Sequence, residues 1–252
     1  MRNKILEIKK LSKTFTNKSE PLQVLNNIDL DIYEDEIIAI VGTSGCGKST
    51  LLNLITGLDS DYEGEIKYNF DKNNIGYMFQ EPALFPWLSI KNNALISSKI
   101  KKIDREYYID NLLKKYNLYE FKDKFPNSLS GGMKQRVSLI RTLSLKPKLL
   151  LLDEPFAALD YQTRLKITDD VHNLIKENKI TTIIITHDIS EAVSFADRVV
   201  VLSKRPATIK NIYEIKLNNK SNPTNKRKDE LFSSYYEIIG KDLDIFWCVR
   251  NF

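Results

Sequence analysis

Only two cysteines, Cys46 and Cys248, and two histidines, His172 and His187, occur among the 252 residues. Two thiols so far apart give no basis for a disulfide framework and point to a reducing cytoplasm. No run of about 20 apolar residues exists, so the chain is expected not to span a bilayer by itself. Residues 1–8 alternate like a strand and lack the apolar core of a signal peptide. The net charge of +5 is spread along the chain, with minor clusters at 99–102 and 226–228. A nucleic-acid binder would gather charge on one face and interleave aromatics, so no nucleic-acid partner is expected. There is no internal repeat. What remains is 42% apolar content, enough for one substantial core with an attached lobe.

The most informative segment follows the apolar run at 37–41: Gly42, Thr43, Ser44, Gly45, Cys46, Gly47, Lys48 and Ser49, which with Thr50 are the candidate nucleotide-binding residues and enter a helix-like stretch from Lys48 to Ile55. Strand, glycine loop and helix is the context a P-loop requires. Glycines let successive N–H groups turn inward onto phosphate oxygens, and the helix N-terminus adds partial positive charge. Lys48 is suited to the β- and γ-phosphates of ATP and Ser49 to Mg2+. Cys46 reads as a small loop residue.

A second protein anchor for the metal comes from Leu149-Leu150-Leu151-Leu152-Asp153-Glu154. The continuous apolar run reads as a strand buried on both faces, ending in Asp153 as a metal carboxylate. Glu154 leaves the strand end in another direction and is placed to polarise an attacking water. Leu129-Ser130-Gly131-Gly132 opens a segment in which Met133, Val137, Ile140 and Ser144 follow helical spacing. By itself Ser130 is a helix cap; beside a complete phosphate site it also offers a second anion site to another molecule.

Together these residues resemble the ATP-binding cassette (ABC) family over nearly the whole chain, from Ile5 to about Ala207. The resemblance implies an α/β fold: a P-loop NTPase core of ABC type with an inserted helical subdomain and a C-terminal helical tail. It implies that Phe15 stacks on adenine, although many members have Tyr there. Gln80 would touch Mg2+ and the attacking water, and His187 would contact the γ-phosphate. Leu159-Asp160 corresponds to the loop that crosses between subunits. Met133 replaces the glutamine that ends the commonest signature, while Ser130, Gly131 and Gly132 are intact. The family pairs two such domains head to tail, with ATP between the P-loop of one and the signature of the other. The segments Gln80-Glu81-Pro82-Ala83-Leu84-Phe85-Pro86-Trp87-Leu88, 153–160 and Leu202-Ser203-Lys204-Arg205-Pro206 are similar to ATPase subunits of nitrate, sulfonate and taurine importers. That group is close in sequence to importers of thiamine pyrimidine precursors. The resemblance therefore implies a homodimer bound to membrane permease subunits at the cytoplasmic face, fed indirectly by a solute-binding protein outside.

Chromosome-maintenance and repair ATPases share these motifs but separate them by long heptad arms, which this chain lacks. Translation-associated cassettes carry two P-loops per chain. A nonenzymatic binding module is disfavoured by the presence of both Glu154 and His187.

Apolar or alternating runs predict strands at 5–8, 28–32, 37–41, 65–68, 75–79, 149–152, 180–186 and 198–202. Helices are expected after Lys48, Asp160 and Asp188. Between about 81 and 147 strand signals give way to helical patterns at 104–116 and 131–145, the expected subdomain within a nucleotide-binding domain at 1–217. Residues 218–225 read as a linker. Beyond it Leu231, Tyr235, Ile238, Ile239, Leu243 and Phe246 recur at helical spacing, predicting an amphipathic tail helix that docks on the body, with Gly240 weakening its continuity. His172, among Asp169, Asp170, Asn173 and Lys176, reads as solvated. Leu84, Phe85, Trp87 and Leu88 form either lobe core or a docking surface.

Overall fold

The computed structural model describes residues 3–16, 20–219 and 221–244. Two long strands, β1 (Lys4–Thr16) and β2 (Pro21–Tyr33), pair antiparallel, and β4 (Glu63–Tyr68) joins the other edge of β1. The second sheet runs β5-β6-β7-β3-β8-β9, comprising β5 (Ile75–Met78), β6 (Leu149–Asp153), β7 (Thr181–Ile185), β3 (Ile37–Val41), β8 (Arg198–Leu202) and β9 (Ile209–Glu214). Its first five strands are parallel; β9 runs antiparallel to β8.

The continuous apolar runs are central strands because both of their faces are covered. Alternate residues supply two cores. Ile37, Ala39, Val41, Leu150, Leu152 and Ile184 face the larger helical core; Ile38, Ile40, Leu149, Leu151, Ile183 and Ile185 face α1 (Lys48–Thr56) and the antiparallel sheet. Between β5 and β6 lie α2 (Ile90–Ile100), α3 (Glu106–Lys115) and α4 (Gly131–Leu143), whose apolar faces enter the larger core rather than forming one of their own. The remaining helices are α5 (Tyr161–Glu177), α6 (Ile189–Phe195), α7 (Pro223–Lys226) and α8 (Phe232–Asp242).

Two expectations are corrected. His172 is buried, at 4% exposure, because α5 turns it with Thr168, Val171 and Ile175 toward the body, where α7 packs over it. The stretch 218–225 is not a plain linker, since it contains the start of α7. Asn222 caps that helix by accepting from Asn225 N, Pro223 occupies its first turn, and Pro223 and Lys226 are buried. The tail helix docks through Ile239 and Leu243, with Gly240 buried inside it, while Leu231 and Ile238 stay exposed. Phe246 and Cys248 lie outside the described residues.

Candidate active site

Adjacent parallel strands deliver their C-terminal ends to one edge of a sheet, and that edge is where α/β proteins bind ligands. Here β3 leads into the glycine loop, β6 ends in Asp153 and is followed by Glu154, β7 is followed by Thr186 and His187, and β5 leads to Gln80. A cavity of about 590 Å³ opens there, lined by Ser44, Gly45, Gly47, Lys48, Ser49 and Thr50 from the loop, by Gln80, Asp153, Glu154 and His187, and by Phe15 and Val24 from the antiparallel sheet.

Gly45 and Gly47 hold φ of 73° and 121°, which only glycine adopts without strain. A Cβ on Gly47 would also stand 2.8 Å from Val24. The Lys48 ammonium donates to the Gly42 and Thr43 carbonyls at 2.8 and 3.2 Å, folding the lysine across the loop. Cys46 is buried beneath, and a Cβ at Gly42 would meet its sulfur at 2.7 Å. Gly42, Thr43 and Cys46 therefore shape the loop from behind and do not line the cavity.

Burial pushes the Asp153 carboxyl above its usual range and neighbouring Glu154 adds to this, while the Ser49 hydroxyl bond and the Lys48 charge oppose it. A divalent cation there would reverse that shift. Ser49, Asp153 and the Gln80 side-chain carbonyl are hard oxygen donors, the set suited to Mg2+ shared with phosphates.

Glu154 sits at φ 46°, a strained conformation for a side-chain-bearing residue, held by its N–H donating to Ile185 O at 2.9 Å. Its carboxylate receives Gln80 Nε2 at 3.4 Å on one oxygen and stands 3.2 Å from His187 Nδ1 on the other. A carboxylate between an amide and an imidazole, just beyond the end of β6, can orient a water and accept its proton. Phe15 is 38% exposed at the cavity mouth, so it is not core.

Ser130, Gly131 and Gly132 do not line this cavity. Ser130 Oγ accepts from Met133 N, and a Cβ on Gly132 would meet Leu159 at 2.9 Å. Ser130, Gly131 and Gly132 thus lie away from the cavity, beside the loop containing Leu159 and Asp160.

The sequence reading missed two contributors. Gln135 is buried on α4 and clamps the loop after β6, donating to Glu154 O at 2.9 Å and accepting from Ala158 N at 3.1 Å. Its signal was a polar residue on the inward face of an amphipathic helix. Arg205 reaches the cavity and donates from Nε to Gly45 O at 3.0 Å, a contact across the fold with no local signal.

The family described as ABC transporter matches residues 25–157. An uncharacterized ABC transporter ATP-binding protein, YtlC of Bacillus subtilis (strain 168), is 37% identical over 95% of this chain and 95% of its own length. The aliphatic sulfonates import ATP-binding protein SsuB of Bacillus thuringiensis subsp. konkukian (strain 97-27) is 38% identical over 96% of this chain and 95% of that protein. Among solved structures, the dimeric post-hydrolysis state of the ATP-binding cassette MJ0796 bound to ADP and Pi superposes with a TM-score of 0.76 at 32% identity, covering 84% of this chain and 99% of that one.

Proposed function

Since the chain belongs to the ABC transporter family and is an ATPase, we propose that it is the energy-supplying subunit of an importer for a small solute of the nitrate, sulfonate or taurine kind. The observation that carries the dimeric part of this reading is the separation of the two phosphate sites on one chain: the glycine loop lines the cavity, and Ser130 to Gly132 do not. Two copies in head-to-tail apposition complete each other's sites. In each, Lys48 and the loop N–H groups hold the phosphates of ATP, Ser49, Gln80 and Asp153 hold Mg2+, Glu154 takes the proton of the attacking water, and His187 keeps the γ-phosphate in line. Phe15 stacks on the base. The closed pair forms with ATP and reopens after hydrolysis.

Coupling to permease subunits is supported by the segment after Gln80. Trp87 is 70% exposed and packs against Phe85, which is also exposed, with ring centroids 5.4 Å apart and planes tilted by 49°. The turn is rigid, because buried Asn93 donates to the carbonyls of Phe85 and Leu88 and accepts from Phe85 N. A rigid exposed aromatic pair favours docking over core. No helix among the described residues is long and apolar enough to cross a membrane, so partners must supply the channel. Docking there places the subunit at the cytoplasmic face, with cargo chosen by the permease and an external solute-binding protein. The sulfonate relatives favour an aliphatic sulfonate as cargo.

The test is purification of the tagged chain from membranes with its partners. Trp87→Ala is expected to weaken permease binding by about 1–4 kcal/mol and reduce uptake, with the isolated subunit's ATPase and thermal stability nearly unchanged. A variant that unfolds would make the pair core; one that assembles and transports normally would remove the docking role. Ligand screening of the co-purified binding protein, beginning with sulfonates, tests the cargo.

A further inference from the structure

Glu191 is a carboxylic acid with 5% exposure that the hydrolysis site does not use. It lies in the first turn of α6, where Asp188 caps the helix by accepting from its N–H at 3.1 Å. The side chain turns inward and bonds to Thr186, while its Oε1 has no partner among the described residues. Facing it from α5 is Arg164, whose guanidinium donates to Leu159 O at 3.0 Å and whose Nε also lacks a partner among the described residues. Arg227, just after α7, faces the same carboxyl from the tail side. Glu191 and Arg164 share the wall of a cavity of about 50 Å³ whose other walls are Glu154, Ala157, Thr186, His187 and Asp188. A polar space of that size is large enough for water, and two orphaned buried groups on its wall are what such water would satisfy.

We propose that Glu191 is a positioning residue for hydrolysis, which with Arg164 and cavity water ties the partner-facing loop at Leu159 and Asp160 to the turn that carries His187. The proposal rests on the roles given above to Glu154 and His187. Its logic is mechanical. Leu159 sits against Gly132, on the face that a second copy would meet, and any movement of Leu159 O is passed to Arg164. Arg164 faces Glu191, and Glu191 in turn is tied to Thr186 and Asp188, the two neighbours of His187. A partner's arrival is thereby felt at the imidazole, and misplacing a group at the reacting centre by about 1 Å costs on the order of 10²-fold in rate.

Burial, with Asp188 adding to it, pushes the Glu191 carboxyl up to about 8, against the opposing pull of Arg164, Thr186 and Arg227. It is therefore protonated at neutral pH, and ionisation in alkali draws Arg164 away from Leu159.

The experiment is steady-state ATPase of the purified full chain across about pH 6.5 to 9.5, a window bracketing that ionisation. Glu191→Ala is expected to lower kcat by about 10- to 100-fold with KM for ATP within about threefold. Glu191→Gln, which keeps shape and neutrality, should retain neutral-pH turnover and lose the alkaline decline expected of the parent chain. The proposal is overturned if Glu191→Ala turns over normally, or if Glu191→Gln declines in alkali as the parent does. Should the alanine variant fail to fold, the glutamine arm decides alone. Glu154→Gln and His187→Ala are run alongside: if they keep full turnover, the site assignment falls together with the proposal, whereas their inactivity beside normal Glu191 variants overturns the proposal alone.

Discussion

The chain's two histidines stand at opposite extremes of environment. The His187 side chain is 67% exposed, paired with Glu154, at the open edge of the sheet. His172 is buried on α5, edge-on to Phe195 with ring centroids 5.4 Å apart, and its Nε2 lies 3.4 Å from Lys226 Nζ. Lys176 and Asp197 complete that cluster at 2.7 Å, and Asp197 also accepts from Ile37 N at 2.8 Å. Burial first, then the charges of Lys226 and Lys176, depress His172 to about 4, so it is neutral at pH 7. Burial lowers Lys226 as well. One region keeps its polar groups at the surface for other molecules to complete; the other has been closed by the chain's own tail. A titratable residue signals chemistry when its surroundings are left unfinished.

The sharpest way to break this contrast is at the open end. Glu154→Gln keeps size and hydrogen bonding and removes the base, so hydrolysis should slow by about 10²–10⁴-fold while ATP affinity persists. ATP-trapped dimers should accumulate. Single-turnover measurement decides it, since turnover within a few-fold of the parent would mean that another group takes the proton.

Ser130→Arg tests whether the unfinished site is finished by a second copy. It places bulk where a phosphate should dock, which should weaken ATP-dependent dimerisation by about 10²-fold or more while the monomer still binds ATP. Sedimentation in the Glu154→Gln background reads this directly, and normal dimers would count against the sandwich.

At the closed end the expected effect is on stability and smaller. A histidine whose folded pKa lies below its ordinary value of 6.5 stabilises the fold above that value, and the contribution is lost as pH falls toward 4, because the unfolded chain takes the proton first. The loss should be about 2 kcal/mol by about pH 5 and about 3 kcal/mol in full. Urea midpoints at neutral and acid pH, compared with His172→Phe, isolate it. Equal pH dependence in the two proteins would show that His172 does not set the acid limit.

The contrast also explains what could be read in advance. The glycine loop and the four-leucine strand were legible because each is a local pattern: a phosphate cradle needs glycines at fixed spacing, and a strand buried on both faces needs unbroken apolar residues. β9 was missed because it is an edge strand with exposed Lys210, Asn211 and Ile212 and no burial on its outer side. α2 was missed because Lys91, Asn92 and Asn93 break its apolar stripe, and Asn93 proves to be a buried clamp on the turn before it. His172 was misread because its polar sequence neighbours look like a solvated face, whereas Asp169 and Lys176 are themselves engaged by distant residues and the imidazole is covered by a segment far along the chain, a long-range fact that α5 does not encode.

The smallest effect concerns the clip that makes that closure. Asn222 Oδ1 accepts from Asn225 N at 3.0 Å, fixing the start of the single turn that drives Lys226 under the body, while Thr224 N donates to Asp169 on α5 at 2.9 Å. Losing an N-cap side chain costs about 1 kcal/mol. Asn222→Ala should therefore lower the urea midpoint by that amount, and the acid-dependent part of His172's contribution should shrink with it, because a frayed turn readmits water around the imidazole and lets its pKa rise toward the ordinary value. ATPase at neutral pH should hold within about twofold, since the cap touches nothing at the open edge and Arg227, one turn on, keeps its bond to Ser194 Oγ. A fall in turnover larger than the loss of folded protein would show that the tail reaches the hydrolysis site, and the two histidine regions would then have to be read as one coupled system.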